Sequence, residues 1–325
     1  MLSGSGMRQF HVLLLLLFSS SLLHAQPVRI GVSETILSLP LFVAQSEGLF
    51  AKRGVDVTLV KCVGGNRCMK NMLAGQTDLA TATELPVVFN SFERADFAIL
   101  TSFVSTSNDV KVLARKKANV SQAQELRNKK LGYIKGTASQ YVLDLVLVYS
   151  GVDPSTVTPI AITPETALQA LAKAEVDALC IWEPFASKIQ KELVSEVNLV
   201  PAPRLYTETF NLIATKPVIK TRPRDLELIL LALKDSTEFI NQNPDKAKTL
   251  LAQRFDIPMA IVNSIFNDYR FKLSLNRSLP RTMEGQARWA MREGHVDSAL
   301  TQPNYNSYVY PRLLKKADPG AVSLP

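Results

Sequence analysis

Histidine is nearly absent: the 325 residues contain His11, His24 and His295 and no others. The first two lie in a segment that reads as a leader, so one histidine serves the rest of the chain. No HExxH occurs, and no histidine pair is available for zinc. A Ser-His-Asp triad would have to use His295, in the polar segment REGHVD, where a surface histidine is the simpler reading. Cysteine is equally scarce. Cys180, inside the apolar run DALCIW, is expected as a buried core thiol. Cys62 and Cys68 bracket VGGNR, and two readings stay open. One is a disulfide closing a small loop, worth about 2 kcal/mol by chain entropy; the other is a pair of half-buried thiols. Beyond the leader, no apolar run is long enough to span a membrane. Aromatic residues are not interleaved with the basic ones, which argues against a nucleic-acid surface.

What is present begins with an address. Met7-Arg8 makes a short basic start, Val12 to Phe18 is an apolar run, and Ser19-Ser20-Ser21 leads to Leu22-Leu23-His24-Ala25. That is the order of a secretory signal peptide, residues 1–25, with cleavage after Ala25. The apolar run is too short to span a bilayer. No cysteine follows the cut, so a lipid anchor is not expected. The full chain has a formal charge of +8, and removing the one charged leader residue, Arg8, leaves +7. A basic exported protein suits an anionic ligand or partner.

Alternation organises the remainder. VRIGVS precedes PLFVAQSEGLFAKRG, DVTLVKC precedes CMKNMLAGQ, and LATAT precedes LPVVFNSF. LGYIKG, TPIAIT and VDALCIW are likewise each followed by a helical pattern. Continuous apolar strands separated by helices predict an α/β fold with parallel sheets covered on both faces. Pro40 near one helix start, Gly54 after its end, and Pro164-Glu165 at another start support the parsing. Beyond about residue 216 the pattern becomes helical, and the tail after Gly294 reads as irregular coil. The segments 97–109 and 208–214 mix apolar and polar residues as crossovers would. If both cross, residues 27–109 and 208–325 form a first, discontinuous lobe and residues 110–207 a second. Two α/β lobes on a two-segment hinge leave a cleft where strand ends face each other, and the hinge permits closure.

Five stretches in order carry a family resemblance: PLFVAQSEGLFAKRGVDVTLVKCVGG, MLAGQTDLATATELP, KVLARKK, LRNKKLGYIKGTAS and VDALCIWEPF. They resemble the substrate-binding proteins of ABC importers for sulfonates, taurine and nitrate, and the related thiamine-pyrimidine-precursor group. The resemblance covers about Val28 to past Pro184 and continues more weakly through the C-terminal helices. It implies a type II periplasmic binding protein, a soluble monomer of the periplasm without enzymatic activity or cofactor. Its partners would be a small solute and the permease of an importer at the inner membrane. The pyrimidine synthases related to this group carry a cysteine-rich motif and an active-site histidine, which this sequence lacks.

The candidate ligand contacts are the corners where an apolar strand gives way to a helix: Ser33 and Thr35, Asn66, Thr83 and Glu84, Gly136 to Ser139, and Trp182 with Glu183. The Gly136-Thr137-Ala138-Ser139 corner is compatible with two readings. Its free N–H groups and two hydroxyls could cradle an anionic head, or Thr137 or Ser139 could cap its own helix. Asn66 and Thr83 would add donors from the other lobe. Trp182 is either a stacking wall or core, and Glu183 either an acceptor for a ligand amine or a first-turn helix carboxylate. In taurine-type members an acidic residue stands between the Trp and the Pro, and Glu183 matches that position. Glu84 argues against a plain anion and for a ligand with donors or positive charge. A sulfonate, a taurine-like or other small anion or zwitterion, and an aminopyrimidine-like heteroaromatic all remain open, as does a sensory ligand-binding role without transport. Lys111, Arg115, Lys116, Lys117, Arg127, Lys129, Lys130 and Lys135, against the single acid Glu125, form a basic stripe. It reads as a steering or permease-facing surface, or as a merely solvated face.

Overall fold

The computed structural model describes residues 26–324; the leader expected at 1–25 lies outside the described residues. Twelve strands form two sheets. The first sheet contains β1 (Val28–Ser33), β2 (Val57–Cys62), β3 (Leu79–Ala82), β4 (Phe97–Thr106), β10 (Glu208–Thr215), β11 (Tyr269–Asn276) and β12 (Val322–Ser323). Its order is β12-β11-β4-β10-β3-β1-β2. The second contains β5 (Val110–Arg115), β6 (Lys130–Tyr133), β7 (Thr158–Ala161), β8 (Ala178–Trp182) and β9 (Val197–Val200), in the order β7-β6-β8-β5-β9.

Both sheets are mixed, where the alternating pattern predicts parallel ones. β1 pairs in parallel with β2 and β3, and β6 with β7 and β8. β4 lies between β10 and β11 and is antiparallel to both, and β5 is antiparallel to β8 and β9. The reason is connectivity. β4 carries the chain out of the first sheet and β10 brings it back, while β5 enters the second and β9 leaves it, so β4 with β10 and β5 with β9 run in opposite directions. The chain therefore passes between the sheets at 107–109 and at 201–207.

Each βα corner follows from the sequence. Helix Leu39–Ser46 has Pro40 in its first turn, where a missing N–H costs nothing. Helices Gly65–Leu73, Glu84–Ser91, Ala138–Tyr149 and Phe185–Glu192 follow β2, β3, β6 and β8. The first sheet packs with Leu39, Leu41 and Phe42, the long helix Pro223–Gln242, and Met69 and Met72 in one continuous apolar cluster. The second sheet has a separate cluster on each face. Val112, Ala114, Ala178 and Cys180 belong to one, and Leu113, Leu179 and Ile181 to the other. That is the two-residue period of a strand covered on both sides. Cys180 is buried as expected for a core thiol. The tail is not irregular coil throughout: it contains the helix Pro311–Ala317 and ends in β12. Leu313 and Leu314 bury against the first sheet's core, and tertiary burial of this kind outweighs the weak local pattern.

Candidate functional site: the cleft between the sheets

The corners after β1, β3, β6 and β8 converge between the two sheets. Ser33, Thr35, Leu37, Gly65, Thr83, Pro86 and Phe210 from the first lobe face Thr137, Ala138 and Trp182 from the second, with Asp109 and Glu208 at the crossings. The free space they enclose is about 30 Å³, room for a water or two. The lobes are closed on each other. Thr35 Oγ1 donates to the Glu183 carbonyl at 3.0 Å, and Asn66 Nδ2 to the Lys135 carbonyl at 3.3 Å. Arg67 and Glu165 form a two-bond ion pair. Trp289 Nε1 donates to Asp144 at 3.0 Å, and Gln140 Nε2 lies 3.1 Å from His295 Nε2. Close approach is built into the backbone: a Cβ on Gly65 would stand 2.8 Å from Ala82, and the Trp182 ring packs over Gly64.

The structure sorts the residues singled out from sequence. Ser33, Thr35, Thr83, Thr137, Ala138 and Trp182 line the cavity. Asn66, Glu84, Gly136, Ser139 and Glu183 do not, and each has another occupation. Ser139 Oγ donates to the Cys180 carbonyl at 2.6 Å and accepts from the Ile134 N–H at 3.0 Å. Thr137 Oγ1 donates to the Ile134 carbonyl at 2.8 Å, and the Gly136 N–H to Gln140 Oε1 at 2.8 Å. The corner's hydroxyls thus hold β6, β8 and the helix start together. Neither hydroxyl caps the helix at Thr137, whose side chain makes no capping bond. Gly136 has φ +72, which favours glycine, and lies under Asn66 Nδ2, 2.8 Å from where a Cβ would be.

Glu183 is buried just ahead of its helix, with Oε2 accepting the first-turn Ser187 N–H at 3.0 Å. The bond to the following Pro184 is cis. Glu84 is fully buried. Its Oε1 accepts from both the N–H and the hydroxyl of Thr209 at 2.7 Å, while Tyr206 donates to Oε2 at 3.5 Å. Burial still pushes Glu84 up to about 7, against those donors. Cys62 and Cys68 are joined as a disulfide, with 5.5 Å between their Cα atoms, at the end of β2 and in the helix that follows. Of the basic stripe, Lys111 turns inward. It is 9% exposed, and its ammonium donates to the Asn108 carbonyl at 2.5 Å.

Two lining residues carry charge, and corner reasoning passes over both: Asp109 and Glu208. Asp109 closes the first crossing and Glu208 opens β10 after the second. Asp109 Oδ1 accepts from the Tyr269 hydroxyl at 2.7 Å. Burial pushes Asp109 up to about 7, opposed by that hydrogen bond and reinforced by Glu183. Glu208 is raised well above the ordinary glutamate range, by burial first and then by repulsion from Asp109 and Glu84. Their available signal is position, since both lie in segments legible as crossovers.

Similarity places this geometry. The family model described as NMT1/THI5 like matches residues 36–247. The chain belongs to the NMT1/THI5-like family. The match spans the cleft corners from Leu37 to Phe210, both crossings included. Among relatives, a protein of Brucella abortus (strain 2308), provisionally named as a binding protein, is 22% identical over 86% of this chain and 89% of its own. The solved periplasmic aliphatic sulphonate binding protein SsuA of Escherichia coli superposes with a TM-score of 0.73 at 18% identity, over 89% of this chain and 99% of that one. The alkanesulfonate-binding protein SsuA of Xanthomonas axonopodis pv. citri, solved with MOPS bound, gives 0.75 at 18%, over 88% and 99%. The fold is that of the periplasmic binding proteins, two α/β lobes with a cleft between them.

Proposed function

We propose that this protein is an exported solute-binding protein that captures a small polar solute between its lobes and delivers it to an ABC importer. The observation that carries this reading is the cleft itself. Both sheets contribute lining residues, the lobes meet through bonds that link one sheet's corners to the other's, and the side chains leave a cavity unfilled. A closure that traps solute needs these parts, and the two crossings at 107–109 and 201–207 supply the hinge. On this reading 27–109 with 208–325, and 110–207, move as the two lobes.

Binding rather than catalysis is the better account of the lining. Hydroxyls are present, but His295 stands outside the cavity against Gln140 and Trp289. The Cys180 thiol is buried, and burial raises its pKa far from reactivity. The names of the solved neighbours make sulfonates the first ligands to try, with aminopyrimidines as the alternative. The test is to release and identify, by mass spectrometry, whatever solute accompanies the natively purified protein, and to titrate the stripped protein with taurine, alkanesulfonates, nitrate and aminopyrimidines. A stoichiometric solute, or a thermal shift of several degrees that Trp182→Ala abolishes, is the expected result. A protein that carries nothing and responds to none of them contradicts the reading.

A further inference from the structure

Glu84, Asp109, Glu183 and Glu208 are all buried where the lobes meet. Folding treats them unequally. Glu84 receives two donors from Thr209 and one from Tyr206, Glu183 receives the Ser187 N–H, and Asp109 receives the Tyr269 hydroxyl. Glu208 is 3% exposed, yet its Oε2 has no hydrogen-bond partner among the described residues. The charges acting on Glu208, from Asp109 and Glu84, are both repulsive. Lys111 attracts Asp109 and Glu183 and donates to the Asn108 carbonyl, but it makes no hydrogen bond to Glu208. An unpaired carboxylate is among the costliest groups to bury, and its retention asks for a partner.

Glu208 and Asp109 line the same cavity as Trp182 and Phe210, and no lysine, arginine or histidine is among its described lining residues. A sulfonate or nitrate entering there meets two acidic side chains and no basic lining residue; Lys111 and Arg204 line only the neighbouring pocket that shares Asp109 and Glu208. A metal ion is disfavoured, because no group of three or more acidic, histidine or cysteine side chains among the described residues could hold one. We propose that the cleft takes a small organic cation bearing N–H donors, an amine or an amidinium, with its charged head on Glu208 and Asp109 and its apolar body against Trp182 and Phe210. This rests on the solute-capture reading and specifies the class of solute. The charge-assisted bonds complete Glu208, and the aromatic rings accept a cation's flank as readily as an apolar body. In the ligand-free cleft protons take the cation's place, since burial raises Asp109 and Glu208. The other titratable groups around the pair are Glu84, Glu183, Lys111, Arg204, Tyr206 and Tyr269. Binding therefore releases protons and tightens as pH rises through about 7, the value to which Asp109 is raised.

The test is calorimetric titration of the full protein, stripped of solute, with benzamidine, agmatine and putrescine as cations. Benzamide serves as the neutral control, and ethanesulfonate and nitrate as anions. At least one cation is expected to bind, with net proton release measured from buffers of different ionisation enthalpy. Benzamide is expected to bind more than tenfold more weakly than benzamidine. Glu208→Gln should weaken the cation more than tenfold, and Glu208→Asp should recover part of that loss. Silence of every cation, equal affinity in Glu208→Gln, or absence of proton release in the wild-type protein would overturn the assignment. Proton release is read on the unaltered protein, so it decides even if a variant does not fold. The anion arm separates the two failures. Ethanesulfonate binding that Glu208→Gln leaves unchanged or tightens overturns the cation and keeps solute capture, whereas silence in both arms and toward the aminopyrimidines removes both.

Discussion

Thr137 and Ala138 of the Gly136–Ser139 corner and Glu208 at the second crossing line one cavity, and folding leaves the two regions in opposite states. At the corner both hydroxyls and the Gly136 N–H are already bonded, to Cys180, Ile134 and Gln140. At the crossings Glu208 Oε2 is bonded to nothing among the described residues. A polar side chain near a cleft therefore says little about a ligand until its partners are counted. The corner's groups contribute to the fold, and a group that folding leaves unsatisfied is available to bind. By this measure the acidic floor discriminates among solutes and the small-residue corner chiefly permits close approach.

The largest effect expected from breaking this contrast is on the corner. Thr137→Ala with Ser139→Ala strips bonds from the buried Ile134 N–H and from the Ile134 and Cys180 carbonyls. At about 1–3 kcal/mol for each of the three groups left unsatisfied, urea unfolding should show a loss of roughly 3 kcal/mol or more. Ligand selectivity should be unchanged; unchanged stability with altered selectivity would reverse the roles of the two regions. Next in size is a control away from the floor. Cys62→Ser with Cys68→Ser opens the small loop after β2 and should cost about 2 kcal/mol in the same assay.

Glu208→Gln should act in the other direction. It removes a repelled, buried charge, so the ligand-free variant should be more stable than wild type at pH 8, by about 1 kcal/mol or more. The pH dependence has the same sign. Asp109 and Glu84, raised to about 7, and Glu208, also raised, bind protons more tightly folded than unfolded. The contribution of these three groups to ligand-free stability is therefore greatest below the ordinary carboxylate range. It falls as pH climbs from about 4 through 7, and Glu208→Gln should flatten that fall. Equal slopes would show that Glu208 is neutralised some other way. The smallest effect belongs to Arg67→Ala. It breaks the half-exposed pair with Glu165 and should change stability by under about 1 kcal/mol. A larger shift would mean that the rim rather than the floor governs closure.

The two-lobed α/β architecture is legible because apolar runs followed by helix starts mark most βα corners. Ser33, Thr35, Thr83, Thr137, Ala138 and Trp182 come from that pattern and do line the cavity. Whether a corner side chain turns to the ligand or into the fold is not local information. Glu183 sits beside Trp182 but bonds Ser187, and Glu84 follows Thr83 but bonds Thr209, 125 residues away. Asp109 and Glu208 are single carboxylates in crossover segments, without period or spacing, and their burial arises only when the lobes dock. Strand Tyr269–Asn276 does alternate buried and exposed side chains, but helical segments punctuated by proline precede it and mask that period. The mixed pairing of the sheets depends on where the chain crosses, which the individual strands do not encode.

The most direct test of the central claim is a carboxyl-carbon NMR titration of the ligand-free protein, with the Glu208 resonance assigned by its loss in Glu208→Gln. An unsatisfied buried Glu208 predicts titration well above the ordinary glutamate value of about 4.3, moving back down when a cation saturates the cleft. A Glu208 that titrates as an ordinary surface glutamate, with or without a cation, would contradict the account.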